Sequence, residues 1–101
     1  MAKRIIWCAD AKSDRQQILA YSAIRNRSKI YSRKLNNFFR AAVEQLSDFP
    51  KIGKPSEFPP IRSKLVGDYR DYYEEMEQDI LILAIWDIRR DDTELKVRLS
   101  E

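Results

Sequence analysis

The chain has 101 residues, 44% apolar and 35% charged. That is enough for one hydrophobic core, too short for two domains, and too apolar for a disordered segment. The longest apolar run, Ile80–Trp86, covers seven residues, against roughly 20 for a helix that crosses a bilayer.

Net charge is +3, but it is unevenly spread. Residues 1–60 carry 12 Lys/Arg against 5 Asp/Glu, a balance of +7, and residues 61–101 carry 7 against 11, a balance of −4. A basic front half suits an acidic protein or a phosphate backbone. Cys8 is the only cysteine and Met1–Arg4 leads straight into Ile5, Ile6 and Trp7. No internal disulfide and no apolar stretch of a secretion signal are available, so a cytoplasmic protein is expected.

In chain order, Lys3–Cys8 reads as a short strand built on Ile5, Ile6 and Trp7. Ser13 and Gln16 have the spacing of a capping box, which predicts a helix over Asp14–Arg27. Its apolar side is Ile18, Tyr21 and Ile24, with Leu19 nearby, and Asn26 and Ser28 mark a break. In the second helix Tyr31, Leu35, Phe38, Ala42, Leu46 and Phe49 form one stripe, widened by Phe39 and Val43. Tyr31, Phe38, Phe39 and Phe49 are therefore predicted to be core, and Pro50 ends the helix. Two helices joined by a short break predict an antiparallel hairpin. Its outer face carries Arg25, Arg27, Lys29, Arg33, Lys34 and Arg40.

Pro50–Pro60 holds four prolines and one glycine and reads as a connector with no element of its own. The period then changes to that of strands: Ile61–Val66, a turn at Gly67-Asp68, Tyr69–Glu75, a turn at Glu77–Asp79, and Ile80–Trp86. The last strand is apolar at every position and should lie inside the sheet. The tail after Asp91 is charged and is assigned no element. The expected fold is α+β: one domain over residues 1–101, two layers in the order β-α-α-β-β-β, with a mainly antiparallel sheet packed on a helical hairpin.

In that order of elements, three phrases resemble the RelE/ParE superfamily. They are Phe49-Pro50-Lys51-Ile52-Gly53-Lys54-Pro55 after the hairpin, Asp68-Tyr69-Arg70 opening a strand, and Ile85-Trp86-Asp87-Ile88-Arg89-Arg90 closing the sheet. The resemblance covers Ile5 to about Asp92. It implies the toxin of a type II toxin–antitoxin (plasmid stabilisation) system, silenced by a cognate antitoxin that wraps it. Two modes of poisoning follow from it: ribosome-dependent cleavage of mRNA, as in RelE-like members, or inhibition of DNA gyrase without a nuclease site, as in ParE-like members. A non-toxic antitoxin-binding module is a third alternative. mRNA cleavage is taken first.

Cleavage by an RNA 2′-hydroxyl needs a base, an acid and cations around one phosphate. RelE-like proteins are similar to one another in using Lys and Arg for this, and this chain has no His. Arg62 and Lys64 are two apart and share a strand face, and Arg70 is expected to face them across the hairpin. By position in the family pattern, Lys64, Arg70 and Arg89 are the catalytic candidates. Crowded cations would lower the pKa of Lys64 and let it act as the base. Arg62, Arg90 and Tyr72 are the RNA-binding candidates. Tyr72 would be the stacking platform, because Asp91–Leu95 lacks the aromatic that RelE-like enzymes carry after the late arginine.

Asp71 departs from the family, which has an apolar residue there, and Asp68, Asp71, Glu74, Glu75 and Glu77 crowd the middle hairpin with negative charge. Trp7 and Trp86 are read as core or interface, and Cys8 as a small buried residue at a strand end. Nothing reads as a metal or cofactor site.

Overall fold

A computed structural model describes residues 2–100; Met1 and Glu101, the ends of the expected domain, lie outside it. The elements are β1 (Arg4–Trp7), α1 (Ala9–Asn26), α2 (Lys29–Asp48), β2 (Lys54–Pro55), β3 (Arg62–Val66), β4 (Tyr69–Glu75), β5 (Asp79–Asp87) and α3 (Thr93–Ser100). The fold is α+β, with a five-stranded sheet in the order β1-β5-β4-β3-β2. β1 runs parallel to β5, and every other pair is antiparallel. The apolar β5 lies inside the sheet, as its composition predicts.

The helical hairpin packs on one face. Phe39, Val66 and Ile85 meet there, joined by Ile18, Leu19, Leu35 and Tyr69, and a second group holds Val43, Leu46, Tyr73, Ile80 and Ile82. The other face is covered by α3, whose Leu95 and Leu99 close over Ile61, Ala84 and Trp86. The unassigned tail is therefore this helix, and it adds a partial third layer.

The break lies at Asn26–Ser28 as expected: Arg27 takes the αL turn (φ 49°), and Ser28 caps α2 by accepting from Ile30 N. Three local expectations need correction. α1 begins at Ala9 with Cys8 as its N-cap, so Ser13 lies inside the helix and accepts a bond from Gln17 instead of capping. The connector does contain an element, the two-residue β2. Finally, of the four aromatics assigned to the core of α2, only Phe39 is buried; Tyr31, Phe38 and Phe49 are 51%, 48% and 63% exposed. Tyr21 and Ile24 on α1 are also exposed.

The phrase around Gly53 has a structural reason. The fully buried Tyr73 hydroxyl donates to Pro50 O (2.7 Å) and accepts from Gly53 N (2.9 Å). A Cβ on Gly53 would lie 2.6 Å from that hydroxyl and 2.7 Å from Ser63 O, so only glycine lets the loop approach so closely.

β1 stops at Trp7, opposite Ile82, so the edge of β5 beyond that point lacks a strand partner. The Asp14 carboxylate of α1 fills the gap, accepting from Ile85 N at 3.1 Å. The same carboxylate holds the Arg98 guanidinium of α3 through two contacts, at 2.7 and 3.2 Å. Removing one partner of such a buried pair strands the other and an orphan N–H. Asp14→Ala is therefore expected to cost about 3 kcal/mol in urea unfolding, and Asp14→Asn, which keeps an acceptor for Ile85, about half of that.

Candidate functional site

Cross-strand partners share a face of the sheet. Lys64 pairs with Asp71 and Asp71 with Ile85, on the side of the helical hairpin. Arg70 pairs with Leu65 and Trp86, on the side of α3. Arg70 therefore does not face Arg62 and Lys64, and the expected basic cluster is divided between the two faces.

On the hairpin side, Arg62 is fastened by Nη1 to Gly53 O at 2.9 Å. Lys64 has a carboxylate opposite it, Asp71, where a second cation was expected. On the α3 side, Arg70 donates to Ser63 Oγ (3.3 Å) and, with Tyr72, lines a cavity of about 270 Å³ closed by Asp92, Leu95 and Lys96. Burial raises the Tyr72 hydroxyl above its ordinary pKa. Arg90 lies 4.0 Å from the Trp86 ring centroid, a cation–π contact, and pairs with Glu94 at 3.1 Å. Arg89 closes back on Asp87, with Nη2 to Oδ2 at 2.8 Å and Nε to Oδ1 at 3.0 Å. These bonds lower the Asp87 pKa and raise that of Arg89.

Arg89 instead belongs to a cleft of about 590 Å³ at the mouth of the hairpin, lined by Tyr21, Arg25, Tyr31, Tyr69 and Asp87 among others. Burial, and next the Asp87 charge, raise the Tyr69 pKa. The sequence reading missed this cleft because it placed Tyr21 and Tyr31 on apolar helix faces. Their helical spacing is real, but the face they share is only partly covered.

Trp86 is buried, Trp7 is partly covered with Arg15 4.4 Å from its ring centroid, and Cys8 caps α1 and donates from Sγ to Leu83 O. Among the described residues, no group of three or more His, Cys, Asp or Glu is placed to hold a metal ion, and no helix is long and apolar enough to cross a membrane.

The family described as "ParE toxin of type II toxin-antitoxin system, parDE" matches residues 5–92. No curated protein sequence matches the chain significantly. Among solved structures, a chain of the chromosomal ParDE toxin–antitoxin system from P. aeruginosa is similar in fold. Its TM-score is 0.76 at 19% identity, covering 85% of this chain and 96% of that one.

Asp71 is the least expected group in the sheet. It is 1% exposed, and neither carboxylate oxygen has a hydrogen-bond partner among the described residues. Burial pushes its pKa up from 3.8 to about 7, offset in part by Lys64. A carboxyl whose pKa is raised on folding costs nothing below its unfolded pKa; the penalty accrues as pH rises from the unfolded to the folded value and is complete above it. From pH 4 to 8 the penalty grows to the order of 4 kcal/mol, at about 1.4 kcal/mol per pKa unit. Asp71→Asn is expected to stabilise the protein by about 2 kcal/mol or more at pH 8 and much less at pH 5. Urea unfolding at the two pH values checks this; an equal gain at both would mean an ionised carboxylate throughout.

Proposed function

The chain belongs to the ParE toxin family of type II toxin–antitoxin systems, and on that premise we propose that it is a growth-inhibiting toxin silenced by a cognate antitoxin, acting in the cytoplasm by binding DNA gyrase. Of the two modes of poisoning, this is the one that needs no nuclease site.

The observation that carries the choice is the register of β3 and β4, which puts Lys64 and Arg70 on opposite faces. A ribonuclease that cuts through a 2′-hydroxyl must bring a base, an acid and a cation to the same phosphate. A phosphate beside Lys64 is screened from Arg70 by the sheet itself. The late arginines add little to such a site, since Arg89 is neutralised by Asp87 and Arg90 by Glu94 and the Trp86 face. The stacking candidate Tyr72 lies on the α3 side with Arg70, away from Lys64. Asp71, beside Lys64, would repel phosphate whenever it is ionised.

Inhibition by binding requires none of these groups to converge. It requires a surface, which the antitoxin covers or distorts when the pair is assembled. On this reading Lys64→Ala and Arg89→Ala leave toxicity within about twofold, because neither carries chemistry. Induced expression in cells, with mRNA 5′ ends mapped by primer extension, should show intact transcripts. Purified protein should halt gyrase supercoiling in vitro. New mRNA ends that vanish in Lys64→Ala would restore the nuclease.

A further inference from the structure

Between Asp14 and Glu44 the chain carries seven Lys/Arg and no Asp or Glu. Arg15 is used in the fold, over Trp7. The other six, Arg25, Arg27, Lys29, Arg33, Lys34 and Arg40, are exposed and form no salt bridge among the described residues. Elsewhere seven of the twelve Lys/Arg pair with a carboxylate: Lys3 and Lys51 with Glu75, Arg4 with Asp79, Arg89 with Asp87, Arg98 with Asp14, Arg90 with Glu94, and Lys96 with Glu57 and Asp92.

Five of the six exposed cations, all but Arg40, lie within about two turns of the break between α1 and α2, and the same end of the molecule carries apolar side chains that the fold does not use. Ile24 is 77% exposed, Ile30 65%, Tyr21 64% and Tyr31 51%. All four lie within about two turns of the Arg27–Ser28 break between α1 and α2. Tyr21, Tyr31 and Arg25 also line the hairpin-mouth cleft together. Scattered apolar exposure is ordinary, but four large residues gathered at one tip and ringed by unpaired cations are not.

We propose that the tip of the helical hairpin is the surface with which the toxin grips its protein target, and that it fits an apolar patch rimmed by carboxylates. The cations alone would suit RNA or DNA equally well. Ile24 and Ile30 decide between them, because phosphates and sugars offer an aliphatic side chain nothing to bury against, whereas a protein patch does. The tyrosines supply rigid contact area at low entropic cost, and the cations steer encounter with an acidic partner. The proposal rests on the reading of the chain as a toxin that binds its target, and it names the part of the chain that does so.

Two variants test it, both at exposed positions outside the described ion pairs: Arg25→Glu/Lys29→Glu/Arg33→Glu and Ile24→Ser/Ile30→Ser. Purified gyrase is the probe, with a 20-nucleotide RNA and the antitoxin as comparisons, and thermal melts confirm folding. The triple variant is expected to bind gyrase ~10- to 100-fold more weakly at 0.1 M salt, the double variant ~10-fold more weakly, and both to lose growth inhibition in cells. Wild-type affinity should fall as salt rises.

Folded variants that bind gyrase and slow growth as the wild type does overturn the proposal while leaving the gyrase reading intact. Tight RNA binding lost in the triple variant and kept in the double variant would turn the tip into a nucleic-acid surface and overturn it too. Variants that lose only the antitoxin would assign the tip to that partner. A wild-type chain that slows growth without binding gyrase removes the gyrase reading; the tip then stands if the variants lose growth inhibition and falls if they keep it. A wild-type chain that neither binds gyrase nor slows growth overturns both.

Discussion

One carboxylate fixes how the three layers meet. β1 is four residues long and leaves one edge of the far half of β5 without a strand partner, on the side away from β4. A backbone N–H left open there would be buried and unsatisfied, at a cost of roughly 1–3 kcal/mol. Asp14 lies one and a half turns into α1, so the helix that follows β1 delivers the acceptor the strand does not supply. Because the same group also takes Arg98, the position of α3 on the far face is tied to the position of α1 on the near one. Helix, strand and helix are thereby registered through a single side chain, and Trp86, with Arg90 and Arg98 near its ring, is enclosed as a consequence.

The sheet's parity then decides what chemistry is available. Strand side chains alternate, so moving a residue by one position sends it to the opposite face. Lys64 and Arg70 straddle the turn at Gly67-Asp68 with a separation that puts them on different sides. No side-chain rotamer can undo that. The phrase Asp68-Tyr69-Arg70 therefore helps to build the turn and both faces, and Phe49-Pro50-Lys51-Ile52-Gly53 is a loop pinned by Tyr73. Much of the recognisable sequence serves packing, which is why it identifies the fold better than it identifies a reaction.

The elements themselves were legible where the period was long or the turn residues were specific: α2, the Tyr69–Glu75 strand and the Gly67 turn lie where patterning puts them. The rotation of α2 was not. Phe38 and Phe39 are adjacent, so one apolar stripe runs through Phe38 and a second through Phe39, Val43 and Leu46, and both read as a buried face. Only the position of the sheet distinguishes them. α3 was invisible for a different reason. Its eight residues bury just Leu95 and Leu99, and such a short, charged helix owes its existence to Trp86 and Asp14, not to its own propensity. The facing of Arg70 was misread because β4 carries tyrosines on both faces, so alternation of apolar and polar residues gave no parity to follow.

The distribution of ion pairs separates the charges the fold uses from those it leaves free. In the C-terminal half, surplus acids are matched by cations brought from elsewhere in the chain: Lys3, Arg4 and Lys51 come from the basic front half to Glu75 and Asp79. Each such pair at the surface contributes little to stability, about 0–1 kcal/mol, but together they offset the carboxylates Glu75 and Asp79 on either side of the β4–β5 turn. The hairpin receives no such compensation. Its cations repel one another across a short turn closed by hydrogen bonds and by no ion pair among the described residues, an arrangement that folding alone gives no reason to keep. Like charges concentrated at the end of a projecting element, beside side chains that would gain by leaving water, are stabilised by a surface of opposite sign. The +7 balance of the first 60 residues is thus not a property spread over the molecule but mostly a property of that tip.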